Sequence, residues 1–259
     1  MQKLAFLDTD FIIKTSNIKN KSSTLFDEII QLPFEFRITK KVLSEIRDRE
    51  IKNQIISLVG SGKIKTVKNT EIIKELNKIY SEEDCIWRTL DILYRLCNTL
   101  WENDEFYNKN FKELEVYKYL ERDVNLFHKK LEEKIYNIPA HNNMGELTTL
   151  LNIEIVNIVN EYEVISLLSH DKSARRCVLD MPENIKSYSC FSCFYLLKER
   201  LTYEIAKEYV KIWRRENPEQ LIETVDKGKK KGIDFLEYLK CIYTNDSCYI
   251  TRNGLLKID

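Results

Sequence analysis

Leu4-Ala5-Phe6-Leu7-Asp8-Thr9-Asp10-Phe11-Ile12-Ile13 is the stretch on which the fold turns. Four apolar residues without Gly or Pro predict a short strand buried on both faces, because such strands read as continuous apolar runs and not as alternation. The run stops at two carboxylates one residue apart, and the apolar residues after them predict a helix. Open α/β sheets bind their ligands outside the C-terminal ends of the strands, which is where this reading puts Asp8 and Asp10. Asp is also an ordinary helix N-cap. The pair therefore gains meaning only if acidic residues stand at equivalent places further along.

They do. Phe34–Ile38 predicts a second strand, with Thr39 as the N-cap of a helix whose second turn carries Glu45. A helix over Ile51–Val59 ends at Gly60-Ser61-Gly62, and Ile64–Val67 predicts a third, partly exposed strand. From residue 69 to 138 the periodicity is helical throughout, with an aromatic stripe at helical spacing that reads as core. After the break at Pro139–Gly145, Glu146 opens a helix running to about Glu161. Glu163–Ser169 is the second strongly apolar strand, and it ends in His170-Asp171. A short helix and a strand near Ile185–Ser189 follow. The remainder, including Pro218–Asp226, is expected to be helical, with the charged run Lys227–Lys231 as a loop.

At 259 residues, 43% apolar and with only four prolines, the chain can bury a sizeable core and is expected to be helix-rich. Lys plus Arg equals Asp plus Glu at 41 each, so any nucleic-acid partner must be held by local basic patches and not by a global field. The sequence shows no secretory leader pattern and no membrane-spanning run, which predicts a cytoplasmic protein with no membrane partner. Its seven cysteines are then expected to be reduced thiols, and Cys190-Phe-Ser-Cys193 lacks the second close pair that a zinc knuckle needs.

Asp8 and Asp171 end strands, and Glu45 and Glu146 lie early in helices. In one parallel sheet these four positions share an edge. Converging carboxylates cannot all stay ionised without a counter-charge, and oxygen ligands of this kind suit Mg²⁺ or Mn²⁺. Such ions activate water and neutralise charge on a phosphoryl group.

Leu7-Asp8-Thr-Asp10, Ile38-Thr-Lys-Lys-Val-Leu-Ser-Glu45, Gly145-Glu146-Leu and Leu168-Ser-His-Asp171-Lys-Ser-Ala-Arg175 together resemble, in order, the motifs of the PIN-domain nucleases. The resemblance implies an α/β fold, a three-layer α/β/α sandwich with a central parallel sheet. It also implies metal-dependent phosphodiester hydrolysis, on RNA in preference to DNA, with Asp8, Glu45, Glu146 and Asp171 as the catalytic and metal-binding acids. Many such proteins are toxins, and a defence-system effector with a regulatory protein partner or a second copy as its control fits the long insert. On this reading residues 1–68 and 138–190 form the core, 69–137 a helical insertion, and 191–259 a helical C-terminal extension. Ser169 matches a hydroxyl often found before the last acid. Asp10 stands where the family commonly has Asn, and reads either as an extra carboxylate beside the metal or as a helix cap. His170 replaces a small polar residue.

The basic residues Lys40, Lys41, Lys172, Arg175 and Arg176 flank these acids, and Lys229, Lys230 and Lys231 form the one charge run. All are candidates for nucleic-acid phosphates. Two other readings compete. Phe6-Leu-Asp8-Thr-Asp10 also resembles the first motif of haloacid-dehalogenase-type phosphatases, which would leave Glu45 and Glu146 unexplained. A PIN-fold binding module without catalysis would not need all four acids.

Overall fold

The structure is a computed structural model. It describes residues 2–121, 123–139, 143–159, 162–218, 220–226, 228–244 and 247–258, and for residues 72, 120 and 121 the backbone only. β1 (Lys3–Leu7) leads into α1 (Thr9–Asn17), a small hairpin of β2 (Lys19–Asn20) and β3 (Ser23–Thr24), and α2 (Leu25–Ile29). β4 (Glu35–Thr39) is followed by α3 (Lys40–Glu45), α4 (Arg49–Gly60) and β5 (Ile64–Val67). The helical stretch holds α5 (Asn69–Leu76), α6 (Glu82–Trp101), α7 (Glu105–Asn110) and α8 (Val124–Asn137). α9 (Met144–Val159) returns the chain to β6 (Val164–Leu168), α10 (Lys172–Cys177) and β7 (Ile185–Tyr188). Then come α11 (Cys193–Leu197), α12 (Tyr203–Glu216), β8 (Ile222–Asp226), β9 (Lys229–Ile233), α13 (Phe235–Thr244), β10 (Cys248–Ile250) and β11 (Leu256–Ile258).

The main sheet is five-stranded and parallel, in the order β5-β4-β1-β6-β7. β1 is its centre, and the order reverses there: the chain fills one side of β1 first and then crosses to β6. That reversal is the topological switch point at which open sheets form a crevice beyond their C-terminal strand ends. Side chains alternate across β1 with period two. Leu4 and Phe6 join one apolar cluster, with α5, α6, α8 and α9, while Ala5 and Leu7 join another, with α1, α2, α12 and α13. Helices therefore cover both faces of the sheet, as the sequence predicts for an α/β protein.

α9 explains why the helical stretch belongs to the core. Twelve of its residues between Met144 and Val156 are buried, so it is apolar nearly all round. Such a helix needs cover on every side. The sheet covers one side, and Ile73, Leu76, Leu90 and Leu93 of α5 and α6 share a cluster with it on the other. No described helix is long and apolar enough to cross a membrane.

The C-terminal part departs from expectation. Pro218–Asp226 is not a helix: Ile222–Asp226 is β8, and Lys229, Lys230 and Lys231 lie in β9 and not in a loop. The two pair antiparallel around Gly228, whose φ of 77° is a conformation that glycine adopts without strain. Lys227 lies outside the described residues. With β10 and β11 these strands make a second, four-stranded sheet, so the extension is mixed and not helical.

Candidate active site

The acidic residues reach the sheet edge through ordinary local chemistry. Asp8 is the N-cap of α1: its Oδ1 accepts from the Thr9 N–H at 2.8 Å, and its own N–H donates to Leu168 O at 3.0 Å. The parallel ladder thus runs one residue past β1 before the chain turns. Asp171 caps α10 in the same way, its Oδ1 accepting from Ala174 N at 2.7 Å. Asp10, by contrast, is not the cap. It sits in the first turn of α1 and pairs with Lys14 at 2.7 Å.

Ser169 ties the two capping acids together. Its fully buried hydroxyl donates to Asp8 Oδ2 at 2.8 Å and accepts from the Asp171 N–H at 3.1 Å. The two acids it joins come from strands that meet only in the folded chain, since Ser169 and Asp8 stand 161 positions apart.

Glu45 and Glu146 come from helices α3 and α9 and not from strand ends. Thr39 caps α3 as the sequence predicts, through a 3.2 Å bond from Val42 N, and its hydroxyl meets Thr148 of α9 at 3.2 Å. That contact brings the start of α9 against α3. Gly145 leaves room for Glu45 there: a Cβ at this position would lie 2.5 Å from its Oε2 and would push the carboxylate aside. Thr9 reaches across from α1 and donates to the same Oε2 at 3.1 Å.

Electrostatics identify Glu146 as the middle of the group. Burial raises its pKa, and the charges of Asp171 and Asp10 raise it further. Burial and then Glu146 hold Asp8 well above the usual carboxylate range. The same two causes push Glu45 up to about 7, against the opposing bond from Thr9. Glu45, Glu146 and Asp10 line a cavity of about 280 Å³ together with Thr9, Ile13, Arg47 and Asn143. Asp8 and Asp171 are not among its lining residues, and Asp8 is fully buried.

A carboxyl whose folded pKa lies above its unfolded one favours folding while it is protonated. For Glu45 that contribution is full below about pH 4.5 and is lost as the pH rises through about 7. Screening at a partly exposed group leaves it on the order of 1–2 kcal/mol, and Asp8 and Glu146 act with the same sign. Melting in EDTA is expected to fall by several degrees between pH 5 and pH 8, and Glu45→Gln should flatten that fall. A wild-type midpoint that climbs steadily over this range would contradict the account.

Two basic residues do not have the role the sequence suggests. Lys41 is 4% exposed, and its Nζ donates to Ile135 O at 3.2 Å and Ile138 O at 2.8 Å, so it fastens the end of α8 to α3 and does not face a phosphate. Arg175 is buried as well. Its Nη1 donates to Ser169 O at 3.1 Å, His170 O at 2.6 Å and Asp171 O at 3.3 Å, and its Nε to Asn253 O at 3.3 Å. It holds the loop that carries Ser169 and Asp171. Lys172 and Lys230 both pair with Glu223, and Arg176 pairs with Glu102 at 3.3 Å. Lys40, Lys229 and Lys231 are exposed. Arg47, which lines the acidic cavity, escaped the sequence reading, although its place two residues after Glu45 was a usable signal.

A divalent ion is tested by the donors present. All four acids offer oxygen only, and Glu45 Oε1 is buried with no hydrogen-bond partner among the described residues. Among the described residues no three His, Cys, Asp or Glu side chains already form a metal cage. Mg²⁺ is commonly held by one or two carboxylates together with water and substrate phosphate, so this open oxygen set suits it. Lys41 opposes the rise at Glu45, yet burial and Glu146 still hold that carboxyl at about 7. Comparisons of the chain with protein-family models, with curated proteins and with solved structures give no match, and none of them assigns it to a family.

Proposed function

We propose that the chain is a divalent-metal-dependent nuclease acting on RNA in preference to DNA, with the PIN-like arrangement that its motifs resemble. One observation carries this reading: acids from four separate elements gather at the switch point of a parallel sheet, and three of them have pKa values raised by burial and mutual repulsion. Stability alone gives no reason to bury charges this way, since each unpaired one costs free energy.

Asp8, Glu146 and Asp171 are the residues to hold Mg²⁺ or Mn²⁺, with Glu45 beside them. A bound ion would lower the pKa of water and offset charge on the phosphate. Glu45, poised at about 7, is matched to taking a proton from the attacking water at neutral pH. Thr9 fixes one Glu45 oxygen, and Ser169 fixes Asp8 relative to Asp171. Arg47 at the cavity and Lys172 at the start of α10 are the cations placed to meet phosphate.

The test is incubation of the purified chain with labelled single-stranded RNA and DNA in Mn²⁺, Mg²⁺ or EDTA. RNA should be cut in either metal and left whole in EDTA. Ion binding has its own readout: carboxyls with raised pKa must deprotonate, so calorimetry at pH 7 in two buffers should show proton release on the order of one per ion. Full cleavage in EDTA, or metal binding that releases no protons, would defeat the proposal.

A further inference from the structure

A second cavity, of about 510 Å³, adjoins the acidic edge and takes no part in the chemistry above. It is lined by Lys14, His170, Trp213, Asn217, Pro218 and Gln220. Two connections fix its place. His170 sits in the chain between Ser169 and Asp171, and Lys14 is ion-paired with Asp10, which lines the acidic cavity. That ion pair links the two linings. A third space, of about 250 Å³, shares His170 and Gln220 with the second and extends it towards Lys172 and Phe191.

The lining has a distinct chemistry. His170 rests against Phe191 and Trp213, with ring centroids 5.7 and 5.8 Å away. Its Nδ1 is buried with no hydrogen-bond partner among the described residues, so the ring brings an aromatic face and an unsatisfied nitrogen to the lining. Trp213 Nε1 donates to Gln220 Oε1 at 3.2 Å, which turns the amide so that its NH₂ group is the part left for other partners. Asn217 Nδ2 donates to Trp213 O at 3.1 Å, leaving its carbonyl oxygen as an acceptor. Among the described residues no carboxylate lines the second cavity, whereas Glu223, paired with Lys172 and Lys230, lines the third. Aromatic surface, one amide donor, one amide acceptor and a lysine at the rim suit a flat heterocycle on a sugar phosphate. The volume lies within the roughly 300–1,000 Å³ usual for small-ligand sites.

We infer that this cavity is a nucleobase subsite, receiving the base of the nucleotide next to the phosphate held at the acidic edge; the identity of that phosphate rests on the nuclease reading. Bases are gripped in this manner by aromatic faces and amide groups in proteins that bind single-stranded nucleic acid. His170 and Gln220 are the specificity-determining residues.

The test is calorimetric titration of the full chain in EDTA with AMP, GMP, CMP, UMP and the base-free control ribose 5-phosphate. At least one nucleotide should bind about tenfold or more tightly than the control. His170→Ala and Gln220→Ala should each weaken that nucleotide about tenfold and leave the control unchanged. Gln220 is exposed, so its variant decides the matter if His170→Ala melts early. Equal binding of all five ligands, or full affinity in Gln220→Ala, would overturn the subsite. RNA left uncut while base-dependent binding persists would remove the nuclease reading alone, and RNA cut without base-dependent binding would remove the subsite alone.

Discussion

Asp8→Asn is expected to reduce RNA cleavage by at least about 10²–10³-fold, the loss that follows removal of one charge-stabilising group from a catalytic centre, without lowering the melting temperature at pH 8. Asparagine keeps the shape and can still accept from the Thr9 N–H, so α1 stays capped. What disappears is a carboxylate that is fully buried and repelled by Glu146. Its raised pKa means that ionised Asp8 disfavours folding at pH 8, so the amide should hold the midpoint level or raise it in EDTA. Loss of activity combined with unchanged or greater stability marks a functional residue and separates it from a structural one. Wild-type cleavage by Asp8→Asn, with contaminating nuclease excluded, would end the assignment. A variant that unfolds at pH 8 would show that the carboxylate is there for the fold.

The second large effect is expected at Arg175. Arg175→Met should destabilise the chain by about 3 kcal/mol, because it strips donors from four carbonyl oxygens in a buried setting. For a chain of this size that is a fall of about 6–12 °C. Below the new midpoint, cleavage should still drop about 10²-fold through kcat, since the loop holding Ser169 and Asp171 loses its brace and small misplacements at a reacting centre are costly. Arg175→Lys should not restore it, because an ammonium cannot reproduce the planar fork that reaches several carbonyls at once. A residue that held substrate phosphate would behave otherwise: KM would rise, the salt dependence would weaken, and lysine would partly substitute. Steady-state kinetics on both variants distinguish the two.

Much of the frame was legible because its signals are local. The apolar runs Leu4–Leu7 and Ile165–Leu168 need both faces of a sheet, and Thr39 announces its helix through a bond to a residue three positions on. The four acids could be placed on one edge because strand ends in a parallel sheet all point the same way. Arg175 and Lys41 were misread for the converse reason. Their partners at Asn253, Ile135 and Ile138 lie 78 to 97 positions away, and a basic residue beside an acid reads as surface charge unless that distant contact is known. The second sheet was missed through two turns. Gly228 and Asn253-Gly254 each join short strands, and the latter is the strongest kind of hairpin signal. Helix-forming Glu, Gln and Leu before β8 obscured the alternation that follows.

The pairing of β1 with β6 carries a consequence for how the protein comes into being on the ribosome. Asp8 is made first, but Ser169 and Asp171, which complete its surroundings, emerge more than 160 residues later. At roughly 5–20 residues per second that interval is about 10–30 s, during which β1 has β4 as a neighbour and lacks β6. Contacts of such long sequence separation also form late in refolding from denaturant. The crevice therefore cannot form before β6, Ser169 and Asp171 have been made, and whatever chemistry it performs begins only after that. If the crevice cuts RNA as proposed, that delay keeps the activity from arising before the strand order is complete.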